Sequence, residues 1–107
     1  MKFDAGTRTR VLAKTTLDFD PTGSTVEVKV DAVWYAATWQ GTAVAIPATP
    51  STPGKWTQTA RTTGYFAGPE ATLGAAVLLS MGRHLTQTRI TSGTDIIVAD
   101  SSPVDVG

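Results

Sequence analysis

The chain has 107 residues, 41% of them hydrophobic and 17% charged, with nine basic and nine acidic residues and no cysteine. That length describes one domain with a modest core. The balanced charge argues against a nucleic-acid-binding module or an electrostatic membrane binder, and the absent thiols exclude disulfide staples and thiolate metal sites.

Residues 1–8 read as an N-terminal arm, flexible or a strand in need of a partner, and residues 9–107 as a single domain. Met1-Lys2-Phe3-Asp4 leads into polar residues rather than an apolar run, so no signal peptide is expected. No apolar segment approaches membrane-spanning length. Thr7–Phe19 alternates, with Val11, Ala13, Thr15 and Leu17 on one face of a first strand. Asp20-Pro21-Thr22-Gly23-Ser24 is a turn. Thr25–Val30 is the cleanest strand, with Val26, Val28 and Val30 on one side and Glu27 and Lys29 on the other. Asp31-Ala32 connects it to a strand over Val33–Gln40, forming a hairpin.

Gly41–Ile46 reads as a short edge strand. Pro47, Pro50 and Pro53 stiffen the following loop, which ends at Gly54, and forbid a ladder there. Lys55–Thr63 returns as a strand with Trp56, Gln58, Ala60 and Thr62 on one face. A loop spans Gly64–Gly74, and Ala75–Ser80 is a short buried strand or a helical turn, with the strand preferred. Arg83–Thr91 follows Gly82, and Ser92-Gly93-Thr94 turns the chain into a hairpin partner over Asp95–Ala99. About seven short antiparallel strands at this spacing predict an all-β domain, an immunoglobulin-like β-sandwich. Nineteen threonines suit that class, being stiff at χ1 and able to keep a strand face wet.

Signals for chemistry are weak. His84 is the single histidine, with no nucleophile elbow near it, and is read as a structural side chain bonding back across a corner. Asp18-Phe19-Asp20-Pro21-Thr22-Gly23 looks like the start of a calcium loop. Its twelfth position is Lys29, where a bidentate Glu is needed, so a plain turn is expected. No phosphate-cradling glycine loop occurs. The expectation is a non-enzyme without metal or cofactor. Trp34, Trp39 and Trp56 are read as core anchors, at least two of the three. Candidate protein contacts are the basic stripe Arg8, Arg10 and Lys14 and the prolines Pro47, Pro50 and Pro53.

The run from Val26 through Trp39, then Lys55-Trp56-Thr57-Gln58-Thr59-Ala60-Arg61, Phe66-Ala67-Gly68-Pro69 and Gly82-Arg83-His84, resembles small β-sandwich virion structural proteins of tailed actinobacterial bacteriophages. The resemblance covers residues 25–107 and rests on dipeptide-scale motifs. It implies a structural role in the head or head-to-tail region, with no catalytic residues to carry over. The expected role is capsid decoration or stabilisation, with the major capsid or connector protein, and further copies of this chain, as partners in a virion. Neither nucleic acid nor membrane is an expected partner. A head-to-tail connector or tail role is the alternative. A carbohydrate- or surface-binding module, using Trp34, Tyr35 or Trp39 as a platform, is the alternative of another class. If the arm is the anchor, removing Met1–Arg10 abolishes attachment and leaves the fold intact.

Overall fold

The computed structural model describes residues 1–72 and 74–107. Ten strands run through it: β1 (Lys2–Phe3), β2 (Arg8–Thr9), β3 (Leu12–Leu17), β4 (Thr25–Val30), β5 (Val33–Ile46), β6 (Lys55–Thr62), β7 (Phe66–Ala67), β8 (Val77–Leu78), β9 (Gly82–Ser92) and β10 (Asp95–Val106). The chain is all-β, as its alternation predicts, and no helix occurs among the described residues.

The pairing order is β10-β3-β6-β5-β4-β9, and β9 pairs back with β10. Six strands therefore form a closed ring, a barrel, where a sandwich would present two open sheets. This differs from the immunoglobulin-like arrangement of about seven strands expected above. Two features bend the ladders enough to close the ring. The β5–β6 register shifts between Gln40 and Val44, where Gly41 takes a φ of 71°. The β9–β10 register shifts between Ser101 and Val104, and Pro103 sits in that irregularity, where no ladder donor is required. Gly41–Ile46 is thus the continuation of β5 past a bulge, and Ser101–Val106 is the continuation of β10.

The inward faces follow the parity of the sequence. Val11, Ala13, Thr15 and Leu17 are buried, as are Val26, Val28 and Val30, and Gln58, Ala60 and Thr62. The threonines do more than wet the surface. Thr62 accepts from the Val11 amide at 2.9 Å and donates to the Gly64 carbonyl at 3.0 Å. Thr86 donates to the Ser102 carbonyl at 2.9 Å. These inward hydroxyls satisfy backbone groups at strand ends and at the bulge.

Of the tryptophans, Trp39 packs against the core and donates its Nε1–H to the Ser24 carbonyl at 3.0 Å. Trp34 lies on the outer face, and Trp56 is half-buried outside the core cluster. The core holds few aromatics because the barrel is narrow and is filled by valine, threonine and alanine.

A small sheet, β2-β7-β8, lies apart from the ring. It brings Phe66 into the core, where its ring meets Tyr35 edge-on at 4.9 Å. The strand expected within Ala75–Ser80 is β8, and the loop expected over Gly64–Gly74 contains β7 as well as Leu73, which lies outside the described residues.

The N-terminal arm is part of the fold. β1 runs parallel to the end of β10, with Lys2 opposite Asp105 and Phe3 opposite Val106. Phe3 is 8% exposed and belongs to the core cluster. Gly68 explains how the segment fits: a Cβ there would lie 2.8 Å from the Ala5 Cα and would overlap the Ala5 carbonyl. The Gly68 amide instead donates to the Thr7 carbonyl at 3.0 Å.

Candidate functional site

The outer face of β3, β6 and β5 carries the most distinctive chemistry. Inward burial of Ala13, Ala60 and their neighbours fixes the outward set by alternation. Leu12 stands opposite Arg61, and Lys14 opposite Thr59; across β6, Thr38 faces Arg61 and Gln40 faces Thr59. Lys14 and Arg61 therefore occupy adjacent rungs of one outward face.

The same face continues onto the small sheet. Tyr65 is 44% exposed, just before β7. The Arg10 guanidinium lies 4.9 Å from its ring centroid and that of Arg8 5.4 Å. Both are within cation–π range, which holds two like charges on one ring. Arg10, Arg61, Gln40 and Tyr65 line a cavity of about 280 Å³. A second, of about 300 Å³, continues past Gln40 to Lys14, Thr42 and Thr57. The two share Gln40 and form a groove with threonine and glutamine walls and cations along it.

None of these cations is neutralised. The ion pairs among the described residues are Lys55–Asp18, Arg83–Asp105, His84–Asp31 and Arg89–Glu27. Arg8, Arg10, Lys14 and Arg61 are in none of them. The Arg10 Nε is buried without a hydrogen-bond partner. A planar fork of this kind suits a carboxylate or phosphate oxygen pair.

Three of the sequence candidates, Arg8, Arg10 and Lys14, thus fall on one surface. Pro47, Pro50 and Pro53 are exposed but sit on the β5–β6 hairpin tip. That tip lies roughly 20 Å along β6 from Arg61 at about 3.3 Å per residue. Sequence reading missed Arg61 and Tyr65. Strand parity already put Arg61 outward, opposite in phase to Gln58 and Ala60. Nothing local marks Tyr65, which arrives through the chain path after β6.

The largest cavity, about 630 Å³, lies elsewhere, between the β4–β5 turn and the β10 bulge. Both of its carboxylates accept a side-chain hydrogen bond. Asp31 accepts from His84 at 2.7 Å, and Asp100 accepts from Gln87 at 3.1 Å. Lys29 leans 5.8 Å from the Trp34 ring centroid.

His84 is 6% exposed and ties three segments together. Its Nδ1–H donates to the Asp31 carboxylate and its Nε2–H to the Ser80 carbonyl at 2.8 Å. With acceptors on both nitrogens, the doubly protonated ring is the species that fits. Burial alone would push its pKa down, but the Ser80 carbonyl and the Asp31 carboxylate together hold it above the ordinary value.

Asp20 caps a turn: its Oδ1 accepts from the Thr22 amide at 2.9 Å and from the Thr22 hydroxyl. Those bonds, hydroxyl first, lower its pKa. Trp34 has Arg89 over its ring at 4.3 Å, and Arg89 is held in turn by Glu27 at 2.9 Å.

Compared with known proteins, the chain matches no family model, no curated protein and no solved structure.

Proposed function

We propose that this chain is a non-enzymatic structural protein of a bacteriophage virion, a decoration or stabilising protein that binds a symmetric array of capsid subunits. The observation that supports the reading is the un-neutralised row Arg8, Arg10, Arg61 and Lys14 beside exposed Tyr65. Arginine and tyrosine are the residues that dominate protein contacts. Here Arg61 and Lys14 stand on paired barrel strands, Arg8 on β2 of the small sheet, and Arg10 and Tyr65 on the short connections beside them. The formal net charge is +0, so the cations form a local patch and not a general basic field.

The partner this patch fits is an acidic protein surface repeated by symmetry, where many weak contacts sum to stable attachment. The major capsid protein is the leading partner, with the connector protein or a tail position as the alternative. The reading needs a rigid all-β body and does not depend on an immunoglobulin-like strand order. For the carbohydrate-binding alternative, Tyr35 and Trp39 of the expected platform pack against the core and Trp34 lies under Arg89, while Tyr65 beside Gln40 and Thr9 offers a ring next to hydroxyl and amide groups. Arg8 and Arg10 at that ring favour an anionic partner instead.

Quantitative mass spectrometry of purified particles tests the proposal. A copy number near that of the major shell protein supports decoration. A number matching a single ring moves the chain to the neck or tail. Absence from the particle overturns the virion reading.

A further inference from the structure

β10 is paired along its whole length with β9, but its other edge is covered unevenly. β1 covers Asp105 and Val106, and β3 meets it at a single pair, Ser101 opposite Thr15. From Asp95 to Ala99 no strand pairs with that edge among the described residues. The hydrogen-bond phase is fixed by the turn. Ser92 pairs with Asp95 across the two-residue Gly93-Thr94 loop, Gly93 having a φ of 60°. A two-residue hairpin closes on a hydrogen-bonded pair, and hydrogen-bonded pairs alternate along an antiparallel ladder. Asp95, Ile97 and Ala99 therefore point their backbone groups at β9. Ile96 and Val98 point theirs at the open edge, and Asp100 points its own at β3. The Thr15 hydroxyl agrees with this phase, donating to the Asp100 carbonyl at 3.2 Å.

The open edge is also apolar. Ile96 is 65% exposed, Val98 50% and Ile97 36%. Free edges in monomeric proteins are guarded by lysine, proline or a bulge. Here the bulge and Pro103 come only after Ser101, and the segment Ile96-Ile97-Val98-Ala99 carries no charge.

We propose that this edge pairs with the same edge of a second copy of the chain, antiparallel about a two-fold axis at Ile97. This goes beyond the virion reading and does not depend on it. In that register Ile96 faces the second copy's Val98 on both sides of the axis. Those are the residues whose amides and carbonyls point outward, so four ladder hydrogen bonds form. The same pairs bring the two most exposed apolar side chains of this edge together on the outer face, and Ile97 meets Ile97. Asp95 falls opposite Ala99, and Asp100 lies past the last pair, beside β3, so no carboxylates oppose each other. Moving the axis between Ile97 and Val98 would set Asp95 against Asp100. The balanced charge of the chain adds no general repulsion between copies.

Because the chain has no cysteine, single-cysteine variants read the register directly. In the proposed pairing Ile97→Cys brings two thiols face to face and forms a disulfide dimer under a mild oxidant. Ile96→Cys and Val98→Cys place like thiols two residues out of register, beyond the about 7 Å reach of a disulfide. Sedimentation of the unmodified chain gives a monomer–dimer equilibrium. Val98→Lys weakens it by about tenfold or more, with far-UV circular dichroism and melting temperature confirming the fold. A chain that stays monomeric at millimolar concentration overturns the proposal. So does a dimer indifferent to Val98→Lys, or cross-linking through Val98→Cys as fast as through Ile97→Cys.

Discussion

His84 and Asp31 are joined by a hydrogen bond of 2.7 Å that links the start of β9 to the β4–β5 turn. That turn is itself unusual, with Asp31 and Ala32 at φ 51° and 68°. Two non-glycine residues in left-handed conformations are those a type I′ hairpin demands, and they are held there at some cost. The imidazole tethers the first of them.

The pH dependence of stability follows from this bond. The folded-state pKa of His84 is raised above its ordinary 6.5. A raised pKa means the contribution is complete below that value and is lost as pH rises through the folded pKa. Unfolding free energy should therefore fall from about pH 6.5 upward, the onset set by the ordinary imidazole pKa. His84→Leu, which leaves the Ser80 carbonyl unpaired, should be destabilising by about 2 kcal/mol at low pH and less at high pH. Urea unfolding across the pH range checks this; equal losses at both ends would contradict it.

Phe3 anchors the N-terminal segment. Phe3→Ala should cost about 3 kcal/mol, as for other buried phenylalanines, measured by chemical denaturation. Removing Met1–Arg10 deletes this anchor, both short strands β1 and β2, and Arg8 and Arg10. The truncated chain should be much less stable than the full one, in contrast to the intact fold expected of a detachable arm.

Thr88 offers a gain. It is fully buried and its hydroxyl has no partner. Thr88→Val keeps the branched shape at that strand position and removes the unpaired oxygen. Stability should rise by about 1 kcal/mol, read as a higher denaturation midpoint at unchanged slope.

Strand identity was legible because the parity of Val26, Val28 and Val30, or of Gln58, Ala60 and Thr62, is a local property. Ring closure was not, because a sandwich and a barrel demand the same inward alternation. What separates them is the long-range pairing of β9 with β4 and of β10 with β3, which carries the β9–β10 hairpin into the ring, together with bends at Gly41 and Ser102-Pro103. Of the site, Arg8, Arg10 and Lys14 stood out as a sequential basic stripe. Their union with Arg61 and Tyr65 depends on β3–β6 register and on the path after β6, which no short window contains. The prolines read as contacts for their stiffness, yet the hairpin carries them to the far end of β6.

On the proposed function, the Arg8, Arg10, Arg61 and Lys14 surface attaches this chain to an acidic partner. The most direct measurement is binding of the purified chain to particles that lack it, comparing the unmodified protein with R10E/R61E. The unmodified chain should bind saturably, and more weakly as salt is raised. The variant should lose binding, with circular dichroism unchanged. Attachment of the variant at undiminished affinity would contradict the proposed function.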